Sequence, residues 1–288
     1  MCPPELPSPD EIRPPVVAGQ FYSDDGDALS SEIDGYLGRV SPETLPGEVR
    51  ALIAPHAGYF FSGQVAAYAY RQIQDRPFGD VVVVAPSHRA AFSGASIYHQ
   101  GGYRTPLGVV PVNVSLARDI MERSDRLNFY PQAHALEHSL EVQLPFLQRA
   151  LKTFQLVPVI MGDQDLTTCR MLADALAAAA RESGVLLVAS TDLSHYRSED
   201  QARALDGTIL EAVDAFDPEG LQEILRTGRG EACGGGPMVA VMMAARKMGA
   251  TGGRVLRYAT SGEVSGDRRN VVGYMAAAIY RSQGESAG

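Results

Sequence analysis

Asp80-Val-Val-Val-Val-Ala-Pro-Ser-His88 is the stretch whose reading decides the fold. An unbroken apolar run, β-branched almost throughout, opened by a charge and closed by proline, reads as a strand buried on both faces. His88 follows directly. Two other stretches repeat the design. Arg50-Ala-Leu-Ile-Ala54 is followed by Pro55 and His56, and Gly184-Val-Leu-Leu-Val-Ala189 leads shortly to His195. In open α/β sheets, ligands bind in the crevice outside the carboxyl ends of the strands. Of the chain's six histidines, half stand at such ends, so the pattern points to a site.

Outward from these strands the chain alternates strand-like and helix-like segments. Helices are expected over 64–72, 115–123, 138–151, 165–182, 199–215, 217–226 and 237–248. Further strands are expected over 95–98, 155–160, 254–260 and 270–280. Pro237 falls near the first helical position, where its missing N–H does no harm. This alternation predicts an α/β fold: a three-layer α/β/α single domain with a mixed, partly parallel central sheet, its last strand pair antiparallel. Residues 13–281 form that domain in this reading, between a flexible N-terminal tail, 1–12, and a C-terminal tail, 282–288.

With 288 residues, 45% of them hydrophobic and 20% charged, the chain can bury a sizeable core. A net charge of −9 gives no basic face for nucleic acid. No apolar run approaches a membrane span, and the N-terminus lacks the basic and apolar regions of a signal peptide. Three cysteines make no disulfide framework, so the expected home is the reducing cytoplasm. Cys2 lies in the tail. Cys169 shares a helical face with Leu166, Leu172, Ala173 and Leu176 and reads as a small buried hydrophobe. The glycine-rich pieces match no phosphate-binding loop.

His56 and His88 form a matched pair of strand, proline and histidine. Neutral imidazole is the commonest metal ligand, and two of them want a third donor. Cys233, in Ala232-Cys-Gly-Gly-Gly-Pro237, is the best candidate, because a helix N-terminus stabilises the thiolate that binds metal. Asp192 and His195, in Ser190-Thr-Asp-Leu-Ser-His195, read as an orienting carboxylate or fourth ligand and as a proton shuttle. His99 has no companion and reads as a surface residue. His134, Glu137 and His138 spell H-x-x-E-H, the inverted zinc-protease pattern. Pro131 and Pro145 crowd that segment, and Glu137 and His138 otherwise fit a supporting role lining the same crevice.

Together, Pro15-Val-Val-Ala-Gly-Gln-Phe-Tyr22, Ala54-Pro-His-Ala-Gly-Tyr59, Ala85-Pro-Ser-His88, Glu137-His-Ser-Leu-Glu-Val-Gln-Leu-Pro-Phe146, Ser190-Thr-Asp-Leu-Ser-His195, Cys233-Gly, Ser265-Gly-Asp267 and Val271-Val-Gly-Tyr274 resemble the Memo family. In bacteria and archaea that family is protein B of the AmmeMemoRadiSam system. The family is similar in fold to the class III extradiol dioxygenases (LigB-like). By that likeness His56, His88 and Cys233 match metal-binding positions, and Asp192 and His195 stand beside the metal. Extradiol enzymes hold iron(II) with two histidines and a carboxylate. A cysteine in the third position is softer and favours copper(I), zinc or thiolate-bound iron, so the fold does not carry the dioxygenase activity with it.

Three readings stay open. One is metal-dependent redox chemistry on iron or copper, acting on a small-molecule or peptide substrate, with radical-SAM and AMMECR-type partner proteins. Another is a non-enzymatic peptide-binding or copper-sequestering protein that uses the same crevice. The last is a zinc hydrolase working through H-x-x-E-H.

Overall fold

The structure is a computed structural model that describes residues 11–41, 43–180 and 184–282. Cys2 and the expected tails, apart from Glu11, Ile12 and Ser282, lie outside the described residues. The chain opens with β1 (Ile12–Arg13), α1 (Gly26–Gly38), β2 (Gly47–Ala54), α2 (Tyr59–Arg71), β3 (Asp80–Pro86), β4 (Ala95–Ile97), β5 (Gly102–Thr105) and β6 (Gly108–Pro111). It continues with α3 (Val114–Met121), β7 (Leu127–Asn128), α4 (Pro131–Ala135), α5 (His138–Glu141), α6 (Gln143–Ala150), β8 (Gln155–Met161), α7 (Leu166–Ala179) and β9 (Val185–Ser190). It closes with β10 (His195–Arg197), α8 (Glu199–Asp214), α9 (Pro218–Arg226), α10 (Gly235–Lys247), β11 (Gly252–Thr260), α11 (Gly262–Ser265) and β12 (Val271–Ser282).

Strand order in the nine-stranded sheet is β10-β12-β2-β9-β3-β8-β4-β7, with β11 also paired to β12. Strands β2, β9, β3 and β8 are mutually parallel. β12 adds antiparallel to β2, and β4 adds antiparallel to β8, so the sheet is mixed, as the sequence predicts. A small sheet of β1, β5 and β6 stands apart from it.

The all-apolar strands follow from cover on both faces. Val81, Val83 and Ala85 of β3 pack on one side with Leu52 and Ala54, against Leu29, Ile33 and Leu37 of α1, Tyr70 of α2 and Phe146 of α6. Val82 and Val84 pack on the other side with Ala51 and Ile53, against Leu172 and Leu176 of α7, Ile209 of α8 and Val239 and Met242 of α10. The period of two divides each strand between two cores, and the helices complete three layers. Cys169 is fully buried in the second core, as its helical face predicts.

The sequence reading expects no helix over α1 and starts α2 five residues late, and two further helices differ in detail. Pro237 is the third residue of α10 rather than its first. The helix expected over 138–151 is two pieces, α5 and α6, joined at Val142. Pro145 has no N–H to offer the Glu141 carbonyl one turn back, so the ladder is interrupted there.

Candidate metal centre

Because β2, β9 and β3 are adjacent and parallel, their carboxyl ends open side by side and deliver His56, the Ser190–Asp192 segment and His88 to one place. His56 is 2% exposed. Its backbone N–H donates to Asp192 Oδ1 at 2.8 Å, and its ring Nδ1 lies 2.8 Å from Ser190 Oγ. Nε2 faces the centre. Burial, reinforced by the neighbouring His138 and His88, holds the His56 pKa well below the usual imidazole range.

His88 is seated by Glu137. One Glu137 oxygen accepts the His88 backbone N–H at 2.6 Å, the other lies 2.9 Å from His88 Nδ1 and accepts Ser139 N–H at 3.0 Å. Burial raises the pKa of this carboxyl, but the hydrogen bonds from His88 and Ser139 outweigh it and bring it down to about 2. Glu137 is therefore a carboxylate, and His88 Nδ1 must carry the proton it shares, which leaves His88 Nε2 as a free lone pair. This is the carboxylate–histidine arrangement that fixes ligand tautomers at metal sites.

His138 joins these two. Ligand atoms of His56, His88 and His138 all lie within 4.8 Å of one another. The His56 and His88 ring centroids are 5.3 Å apart, and those of His88 and His138 4.9 Å. His138 Nδ1 is buried, makes no hydrogen bond and stands 3.4 Å from Glu137 Oε1. Burial lowers its pKa as well. Neutral imidazoles and an unpartnered buried nitrogen suit a metal ion, since coordination requires the unprotonated ring. The sequence placed His138 beside the metal; the structure puts its ring in the cluster.

Cys233 comes to the same point from the turn before α10. Its Sγ is 3.2 Å from His56 Nε2 and accepts the Asp192 backbone N–H at 3.3 Å. Two glycines are required there. A Cβ on Gly234 would stand 2.2 Å from the Ser190 carbonyl, and one on Gly236 would stand 2.7 Å from the Gln164 side chain. Gln164, just past the end of β8, ties the turn down: its amide donates to the Cys233 carbonyl at 2.8 Å and accepts Gly236 N–H at 2.7 Å. The expectation of a stabilised thiolate is not met. Burial and the nearby Asp192 push the Cys233 thiol up to about 12, so without a metal it keeps its proton.

Asp192 is 4% exposed, and burial raises its carboxyl to about 6 despite the hydrogen bond from His56 N–H. It grips the His56 backbone; the ring is held by Ser190, and Asp192 Oδ2 is 4.0 Å from Nε2. His195 opens β10, near Asp192 and His56.

The H-x-x-E-H reading is corrected. His134 ends in α4, Glu137 is the extended N-cap of α5, and His138 begins α5, so the two histidines share no helical face. Both His134 ring nitrogens are used, by Tyr103 Oη at 2.8 Å and Ser96 Oγ at 2.9 Å, and burial lowers its pKa to about 3. It is a core histidine. His99, expected at the surface, is half-buried with its ring edge on Phe129. Sequence reasoning missed Ser190 and Gln164. The strand-end position that singled out His56 applies to both.

Among known proteins, the family described as Memo-like protein matches residues 13–278. A MEMO1 family protein of Methanothermobacter thermautotrophicus is 41% identical over 91% of this chain and 98% of its own. One of Methanopyrus kandleri is 40% identical over 93% and 99%, and one of Thermotoga maritima 36% over 93% and 99%. The crystal structure of an uncharacterized protein from Escherichia coli K12 shares the fold, with a TM-score of 0.51 at 14% identity over 79% of this chain and 99% of that one.

Proposed function

The chain belongs to the Memo family, and from that premise we propose that it binds a redox-active transition metal, iron(II) or copper, and uses it in chemistry on a small-molecule or peptide substrate. The observation that carries the reading is the gathering of His56, His88 and His138 within 4.8 Å, with Cys233 Sγ 3.2 Å from His56 Nε2. His56, His88 and His138 would hold the ion, and Cys233 would add a thiolate donor once deprotonated. Bound there, iron or copper supplies one-electron exchange, and the imidazole and thiolate donors suit either ion. Asp192, with a carboxyl raised to about 6, can hold or release a proton near neutral pH beside His56. His195 carries protons between this carboxyl and the opening.

Elemental analysis of anaerobically purified protein tests the assignment. About one iron or copper per chain is expected, lost in His56→Ala and in His88→Ala. Full metal content in both variants sinks it.

A second reading, a peptide-binding or copper-sequestering protein, draws support from the surface. The exposed large apolar side chains among the described residues include Phe60 and Phe61 at the start of α2, Leu136 beside Glu137, and Tyr196 beside His195. These adjoin site residues along the chain and offer an apolar rim to a partner. No helix among the described residues is long and apolar enough to cross a membrane. Three cysteines make no disulfide framework, which suits the reducing cytoplasm, where radical-SAM and AMMECR-type proteins are the proposed partners. Pull-down with tagged protein from its own cells, with and without bound metal, tests that part.

A further inference from the structure

Ser190, Gln143 and Tyr70 lie behind His56 with no exposure to solvent worth the name: Ser190 and Tyr70 are 0% exposed and Gln143 is 1%. Their hydrogen bonds form a single directed chain. Gln143 Nε2 lies 3.0 Å from the Pro55 carbonyl, which can only accept, so that nitrogen is the donor end of the amide. Its second hydrogen goes to Ser190 Oγ at 2.8 Å. Gln143 Oε1 accepts Tyr70 Oη–H at 2.6 Å, which locks the amide in that orientation.

Ser190 has one hydrogen to give. Its Oγ is 2.7 Å from the Ser139 carbonyl, a contact between two oxygens that needs a proton, and only Ser190 can provide it. With that hydrogen committed and Gln143 donating from another side, Ser190 Oγ can face the His56 ring at 2.8 Å only as an acceptor. His56 Nδ1 must therefore carry the ring proton, and Nε2, towards Cys233 and the other imidazoles, must be a bare lone pair. A free neutral histidine in water favours the opposite tautomer, so the chain of partners imposes a choice the ring would not make alone.

We propose that Ser190, oriented by Gln143 and Tyr70, is a positioning residue that fixes His56 as its Nδ1–H tautomer and so presents Nε2 ready to bind metal. Glu137 does the same for His88 with a charge; Ser190 does it for His56 with a neutral hydroxyl and adds no negative charge beside the ion. The link to metal rests on the metal-binding reading above, whereas the tautomer itself is a property of the protein without metal.

The test uses the full chain, labelled with ¹⁵N and stripped of metal, and long-range ¹H–¹⁵N correlation of the histidine rings. His56 is expected to show a protonated Nδ1 and a bare Nε2, and Ser190→Ala to move the balance towards Nε2–H while losing about 10–100-fold in affinity for added iron(II) or copper(I). A wild-type His56 protonated on Nε2 overturns the proposal, with no variant needed. So does a Ser190→Ala protein that folds, as judged by its amide spectrum, and keeps the wild-type tautomer. If the wild type shows the expected tautomer but takes up neither metal, the proposal stands and the metal-binding reading fails.

Discussion

Cys233 shows how tertiary burial overrides a local argument. A helix N-terminus favours a thiolate by about 0.3–1 kcal/mol. The rise of its pKa from 9.0 to about 12 is worth about 4 kcal/mol in the other direction. The glycines and the helix start are written in the sequence; the walls that desolvate the thiol are not. With Cys233 as the proposed thiolate donor, metal uptake would expel its proton, and affinity should rise about tenfold per pH unit across the neutral range. Metal titrations at several pH values measure this slope, which should flatten in Cys233→Ser. In the metal-free protein, alkylation of Cys233 should be slow. The pKa of Glu137 is shifted the other way. Its carboxyl falls from 4.5 to about 2, so its contribution of about 3 kcal/mol is complete above pH ~4.5 and is lost as the pH falls towards ~2. Urea unfolding across that range should show the loss in wild type and much less of it in Glu137→Gln. His56 and His88 were legible because proline-terminated strands announce where their histidines emerge. Ser190 is only half legible: its strand-end position is in the sequence, but its role comes from the three groups that surround it.

Between α4 and α6 the departure from a continuous helix is what makes the site. Had 134–151 been one helix, His134 and His138 would share a face and Glu137 would point elsewhere. The break instead lets Glu137 cap α5 and hold His88 with the same carboxyl. Buried Arg13 pins the break: it donates to the His134 and Glu137 carbonyls at 2.7 and 2.6 Å and pairs with Glu141 at 2.6 Å. Glu141 also accepts from Val16 N–H, Val17 N–H and Tyr22 Oη. Removing one side of a buried, fully bonded pair costs about 3–5 kcal/mol. Arg13→Met should lose that much by chemical denaturation, with faster amide exchange in 134–141. His134→Ala, by contrast, should destabilise the core yet leave metal stoichiometry unchanged; loss of the metal would restore the zinc-motif reading. The prolines at 131 and 145 hinted at the break, but Arg13 and Glu141 are far apart in sequence and nothing in the spacing joins them.

Across the whole molecule the sheet order explains why the fold class is legible in the sequence. Parallel neighbours bring like ends together, so recognising β2, β3 and β9 as buried parallel strands was enough to put their following loops in one crevice. The small β1-β5-β6 sheet and the two-residue β7 carry no such apolar run and were invisible. A metal that binds only the folded chain stabilises all of it, by about 2.7 kcal/mol at a hundredfold excess over its dissociation constant. Melting with graded iron(II) or copper(I) should show that rise in wild type and none in His56→Ala. β12 adds one more consequence. It is antiparallel to β11, β2 and β10 at once, and its Gly273 exchanges backbone hydrogen bonds with Leu193 and Ser194, next to Asp192 and His195. A ribosome makes His56, His88 and Cys233 well before it makes β12. The strand that frames these side chains is thus the last part of the site to be made, and the geometry around them is complete only once β12 has joined the sheet.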